Sequence, residues 1–216
     1  MKMIGNGNAK LHEPDAEFPH KPGVNEYWQE SVVLHWFDAK AGIGGYFRIG
    51  HEPHLGNAVL WCSYYCTDGT VFNHNAKFPL RDEDRIPNGF AVGDCCKYEV
   101  VDGKIVWTSI EPEIQARLVA EDFHQPIDLY PSDSGTLSDD YCKDHLEVAS
   151  RVTGEVVFEG KRYEIDGLGY RDHSWGERRW HTLLTHRWVT GVLSTDCSFG
   201  AMSWHAQDNT LNIWRA

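Results

Sequence analysis

Between positions 167 and 180 the chain reads GLGYRDHSWGERRW. Tyr170, Asp172, His173 and Glu177 bring a phenol, two carboxyls and an imidazole together, with Arg171, Arg178 and Arg179 interleaved and Trp175 and Trp180 beside them. A carboxylate next to an imidazole offers a proton donor and acceptor tunable around neutral pH, the raw material of general acid–base catalysis. Gly167, Gly169 and Gly176 imply special backbone geometry, or close approach of another backbone or a ligand. If the segment is extended, Tyr170, Asp172 and Ser174 share one face while Arg171, His173 and Trp175 share the other. Asp172 and His173 then serve one cavity only if the chain bends, and Gly169 and Gly176 are the residues that permit it. The competing reading is structural: Asp pairs with Arg, His bonds the backbone and Trp fills the core.

Other chemistry is thinner. His51-Glu52-Pro53-His54, with His74 further on, has metal-ligand residue types but not the helical register of a zincin, and its proline favours a solvated turn. No metal is expected. The sequence has no phosphate-cradling glycine loop leading into a helix, no G-x-S-x-G elbow and no dinucleotide fingerprint. Nicotinamide, flavin and nucleoside triphosphate chemistry are therefore not expected, nor is any other cofactor. Ser174 lacks the strained elbow of a nucleophilic serine.

The elements that must position these residues are short β-rich runs punctuated by turns. Ser31–Asp38, Tyr46–Ile49, Asn57–Cys66, Val71–Phe78, Lys97–Val101, Ile105–Ile110 and Ile114–Asp122 read as strands, with a glycine-rich turn over Ala41–Gly45. Asp68-Gly69, Asp102-Gly103 and Glu159-Gly160 mark tight connections. Leu146–Val152, Glu155–Phe158, Arg162–Ile165, Arg187–Ser194, Ser198–Ala206 and Thr210–Arg215 continue the pattern, and Pro126–Asp140 reads as a loop. Helix is limited to a turn or two within Asp172–Trp180 or Ser138–Asp144. Such a meander predicts a mostly β fold, an antiparallel barrel or sandwich.

Bulk properties exclude some partners. Net charge is −12 over 216 residues, against nucleic acid and anionic membrane surfaces, both of which call for basic patches. No apolar stretch is long enough to span a bilayer, and the polar opening MKMIGNGNAKLHEPDAEFPH lacks a secretory core, so the cytoplasm is the default location. The six cysteines are expected as reduced thiols. Nine Trp, nine Tyr and nine Phe fit either cross-strand packing or a cavity for a bulky apolar ligand. The last residues, Trp214-Arg215-Ala216, read as the middle of a strand, as if a longer parent or a partner chain completed the sheet.

Tyr170-x-Asp172-His173-x-Trp175-Gly176 resembles the aromatic-x-Asp-His/Asn-x-Trp-Gly core of the lipocalin-like family of carotenoid hydratases (hydroxyneurosporene synthase-like) and AttH-like proteins. Trp36-Phe37-Asp38-Ala39 and Gly42–Gly50 are similar to that family's early strands. The resemblance implies lipocalin-like β-barrels: a loose arm over residues 1–25, a first barrel over 26–166, then the junction motif and the start of a second, incomplete sheet or barrel over 167–216. It also implies a cofactor-independent lyase or hydratase acting on a hydrophobic terpenoid or aromatic molecule. Asp172 would be the proton donor with His173 beside it and Tyr170 completing the catalytic set; Arg171, Trp175, Glu177, Trp180 and Trp36 would surround the substrate. A complete two-barrel member is longer than this chain, so a partner subunit, of the same or another kind, would supply the rest. The rival class is a non-catalytic lipocalin-like binding protein for an apolar ligand.

Overall fold

The computed structural model describes residues 13–128, 144–207 and 212–215. Four strands open the fold as a meander: β1 (Trp28–Asp38), β2 (Ile43–Glu52), β3 (Asn57–Cys66) and β4 (Val71–Pro79). A second run follows, with β5 (Gly89–Val92), β6 (Cys96–Val101), β7 (Lys104–Ile110), β8 (Ile114–Asp122), the two-residue β9 (Ile127–Asp128), β10 (Asp144–Phe158) and β11 (Lys161–Glu177). These strands form one antiparallel sheet in the order β4-β3-β2-β1-β11-β10-β8-β7-β6-β5, with β9 added on β10. β12 (Leu183–Ser194), β13 (Cys197–Ala206) and β14 (Asn212–Arg215) make a separate three-stranded sheet.

The large sheet curls until its ends nearly meet. His51 on β2 bonds the Ala91 carbonyl of β5 through Nε2 at 2.8 Å, and Tyr64 on β3 donates to Ser109 Oγ of β7 at 2.8 Å. Alternation of side chains puts one face of each strand inside the barrel, and aromatics fill it. Phe47 stacks on Trp107 at 4.8 Å, and Trp36, Tyr64, Tyr98 and Phe90 are fully or almost fully buried around them. Among the described residues, eight aromatics thus belong to the buried core, whereas Phe18, Tyr27, Phe37, Trp61, Tyr65, Trp180 and Phe199 are exposed.

The Asp-Gly turns lie where expected, with Asp102 and Gly103 both at positive φ in the β6–β7 hairpin. Ile43–Gly45, expected in a turn, instead begin β2. The runs Leu146–Val152 and Glu155–Phe158 are one strand, because Gly154 (φ +139°) lets β10 pass against the Arg117 carbonyl of β8, which a Cβ would meet at 2.1 Å. The run at Arg162–Ile165 likewise continues through the motif to Glu177. Asp172–Glu177 is thus strand rather than helix, and a 3-10 turn follows at Trp180–Thr182. Most of the expected loop 126–140, along with 138–143, lies outside the described residues. Cys62, Cys66, Cys95, Cys96 and Cys197 are free thiols; Cys142 is not among the described residues.

Residues 13–25, expected as part of a loose arm, dock on the sheet. Pro14–Glu17 forms a 3-10 turn that buries Glu17, and His20 lies flat on Trp175 with ring centroids 3.8 Å apart.

Candidate active site

β11 runs in unbroken register with β1 on one side and β10 on the other from Leu168 to Trp175. Tyr170, Asp172 and Ser174 therefore project from one face, and Arg171, His173 and Trp175 from the opposite one. The bend that would have brought Asp172 and His173 together is absent: Gly176 does take a positive φ of 123°, but beyond both residues, and Gly167 and Gly169 serve another purpose. A Cβ on Gly167 would meet the Phe37 carbonyl oxygen at 2.5 Å, and one on Gly169 would meet Val152 Cγ2 at 2.6 Å. They let neighbouring strands approach closely.

The outer face, toward the three-stranded sheet, gathers acid–base groups. Glu147 on β10 stands directly opposite Asp172 on β11, and both are buried. His145, two residues along β10 and so on the same face, places Nε2 3.5 Å from Glu147 Oε1 and 3.7 Å from Asp172 Oδ2. Tyr170 Oη donates to Glu147 Oε2 at 2.7 Å, and Trp188 Nε1, from β12, donates to Glu147 Oε1 at 2.8 Å. Thr190 on β12 bonds His35 Nε2 at 2.8 Å. The second sheet thus roofs the carboxyls through β12, and on β13 Gly200 comes so near that an added Cβ would lie 2.6 Å from both Glu147 Oε2 and Tyr170 Oη.

The two carboxyls are driven apart electrostatically. Burial pushes Glu147 up to about 7, with His145 opposing the rise and the Asp172 charge adding to it. Burial also acts to raise Asp172, but His145 together with the Arg178 and Arg48 guanidiniums outweighs it and holds this carboxyl below its ordinary range. Burial lowers His35 to about 4, so that ring is neutral at pH 7. Near neutrality the pair therefore shares an ionised Asp172 and a half-protonated Glu147. Like carboxyls whose environments separate their proton affinities are the usual basis of an acid and a base in one site.

The inner face is knitted differently. Arg171 Nε donates to Asp122 Oδ1 at 2.9 Å, Nη2 also pairs with Asp122 Oδ2, and Nη2 donates to Glu17 Oε1 at 2.6 Å. His173 Nε2 donates to Glu30 Oε1 at 2.9 Å; His20 Nδ1 donates to the same oxygen at 2.7 Å. Desolvation acts to raise both Glu17 and Glu30, yet Arg171 for the first and His173 with His20 for the second hold them below the ordinary range. His173 is fully buried, with Phe90 edge-on at 5.4 Å and Trp175 at 5.0 Å. These residues clamp the docked N-terminal segment to the barrel.

The remaining expected site residues are dispersed. Trp36 is inside the barrel core, 6.4 Å from Phe47 between ring centroids. Glu177 pairs with Arg179, and Trp180 is half-exposed under the Arg178 guanidinium. Trp180 and Arg178 line a cleft of about 250 Å³ with Tyr27, Trp28, Leu55 and His181. Arg178 thus touches both this cleft and, through its charge, Asp172. A larger cleft of about 420 Å³, at Lys40 and Arg162–Asp166, holds none of the expected site residues. His51, His54 and His74 are not brought together: His51 bonds Ala91, His54 bonds the Gly23 carbonyl and His74 pairs with Glu111. Glu147 and His145 were missed from the sequence, although a signal existed. Counting outward from the Glu159-Gly160 turn, with Phe158 opposite Lys161, puts Glu147 opposite Asp172.

The family model described as "Domain of unknown function (DUF7064)" matches residues 13–214. No curated protein matches. Among solved structures, an AttH-assigned protein from Nitrosomonas europaea matches with a TM-score of 0.70 at 12% identity, over 100% of this chain and 70% of that one. Kievitone hydratase from Nectria haematococca matches with a TM-score of 0.64 at 10% identity, over 99% of this chain and 66% of that one. CghA matches with a TM-score of 0.62 at 9% identity, over 88% and 57% respectively. At such identities the likeness is one of fold, and this chain spans 57% to 70% of the length of those structures.

Proposed function

The chain belongs to the DUF7064 family, and on that premise we propose that it is a cofactor-independent hydratase or lyase, adding water to or eliminating it from a hydrophobic terpenoid or aromatic molecule. The observation that carries this reading is the buried Glu147–Asp172 pair, one carboxyl pushed up to about 7 and the other held low. Kievitone hydratase, by its name a hydratase, shares the fold over nearly the whole of this chain. In this reading Glu147 rather than Asp172 is the acid. Its O–H gives a proton to one alkene carbon, water bonds the other carbon, and ionised Asp172 accepts the proton that the water sheds. His145, within 3.7 Å of both carboxyls, returns that proton to Glu147. Elimination runs the same steps backward. Tyr170 and Trp188 fix the orientation of Glu147.

A lipocalin-like carrier would hold its ligand in the barrel lumen, and here Trp36, Phe47 and Trp107 occupy that space. The test is incubation with a panel of apolar alkenes and tertiary alcohols in ¹⁸O-labelled water. Wild type should incorporate one solvent oxygen, and Glu147→Gln and Asp172→Asn should each slow the reaction by about 10²- to 10⁴-fold, the usual contribution of a positioned acid or base. Compounds that bind and are recovered unchanged, or variants as fast as wild type, contradict the proposal.

A further inference from the structure

Away from the carboxyl pair, three side chains of different chemistry converge at the seam where the barrel fails to close. His74 lies in the middle of β4, the strand at one end of the sheet order. Cys95 sits in the connection from β5 to β6 at the other end, and Glu111 follows β7 directly. No strand ladder joins β4 to β5 among the described residues. His74 stands opposite the buried Cys62 in the β3–β4 register, so its ring is on the inner face. Its Nδ1 lies 2.5 Å from Glu111 Oε1, and one ligand atom from each of His74, Cys95 and Glu111 falls within 4.8 Å of the others.

We propose that His74, Cys95 and Glu111 bind a zinc-class divalent cation that clasps the two free ends of the barrel sheet. Sulfur, imidazole nitrogen and carboxylate oxygen together suit a borderline-soft ion such as zinc, whereas calcium and magnesium take oxygen ligands. A thiolate and a carboxylate neutralise the ion's two charges, so no net charge is left at the seam. All three side chains are only partly buried, with His74 32% exposed, so an ion can enter and water can take the fourth tetrahedral position. Binding replaces the Cys95 S–H bond, which now points at the Val92 carbonyl 3.1 Å away, by an S–Zn bond and releases that proton to solvent. Cys95 and Glu111 flank the paired strands β6 and β7, whereas His74 is on β4, so the ion would tie β4 to a part of the barrel that no backbone ladder joins to it among the described residues. The cluster of His20, Glu30 and His173 is also compact, but it offers no sulfur, and the His20 backbone N–H already donates to both Glu30 oxygens.

The test titrates the full chain, reduced, with Co²⁺ as a spectroscopic stand-in for zinc. One equivalent should produce a thiolate-to-cobalt charge-transfer band. Cys95→Ser should abolish it, and His74→Gln, at a part-exposed site, should weaken binding at least tenfold. Zinc should raise the melting temperature of wild type, less that of His74→Gln and not that of Cys95→Ser, each first checked for native circular dichroism. Saturating Co²⁺ without a thiolate band overturns the proposal, as does a band or zinc-dependent melting shift that survives in Cys95→Ser, or a melting shift undiminished in His74→Gln.

Discussion

Glu147 and Asp172 face each other across β10 and β11 with His145 between them, 3.5 Å from one and 3.7 Å from the other. Both carboxyls are buried and burial acts to raise both, but His145 together with the Arg178 and Arg48 guanidiniums outweighs it at Asp172, whereas at Glu147, hydrogen-bonded by the neutral donors Tyr170 and Trp188, His145 offsets it only in part. The second sheet closes over them through Trp188 and Gly200. The consequences can be measured without knowing the substrate.

Stability should fall as pH rises through neutrality, and Glu147 should be a principal cause. A carboxyl whose value is raised in the fold contributes stability that is fully present below its unfolded value, near 4.5, and is lost as pH rises through about 7. At 1.36 kcal/mol per unit this amounts to ~3 kcal/mol. Glu147→Gln should flatten the difference between urea midpoints at about pH 5 and about pH 8. Asp172, Glu17 and Glu30, all held low, act in the other direction, and their stability is lost only as pH falls into the acid range below the ordinary carboxylate values.

Gly200→Ala should separate the roof from the site. Its Cβ would stand 2.6 Å from Glu147 Oε2 and Tyr170 Oη, so either β13 lifts or the Tyr170–Glu147 bond breaks. Overpacking of this kind costs about 1–3 kcal/mol, to be read as a lower melting temperature. The Glu147 carboxyl should shift at the same time, since its hydrogen-bond partner or its burial changes.

Arg171 should be a stability residue. Its guanidinium lies between Glu17 and Asp122 and is almost wholly buried. Arg171→Met leaves both carboxylates without their cation, at about 3–5 kcal/mol, and Arg171→Lys cannot restore the fork on Asp122. Denaturant melts measure the loss. Limited proteolysis should then show cleavage within residues 13–25, which Glu17 no longer anchors.

Much of this arrangement was legible in the sequence, and the reasons it stopped being legible are physical. Alternation and Asp-Gly turns located β3, β4, β7 and β8 almost to the residue, because each has one face in the core and one toward solvent, as the burial of β8 displays. β10 and β11 were underestimated: both faces of their overlapping halves are covered, one by the barrel core and one by the second sheet, so alternation fades. The face assignment of Tyr170 and Asp172 against Arg171 and His173 followed from strand geometry alone. What the motif could not reveal was that Asp172's partners lie about 25 residues upstream on β10, reachable only through hairpin register. The docking of Glu17 on Arg171 and of His20 on Trp175 spans some 150 residues of chain, and no local pattern encodes it.

The most direct test of the acid–base pair is a carboxyl titration by ¹³C NMR on protein labelled at Asp and Glu side chains, with Glu147→Gln and Asp172→Asn used for assignment. One resonance, lost in Glu147→Gln, should titrate near 7, and a second, lost in Asp172→Asn, should titrate below the ordinary aspartate range. If both titrate at ordinary carboxylate values, the pair is not split and no acid is held ready at neutral pH.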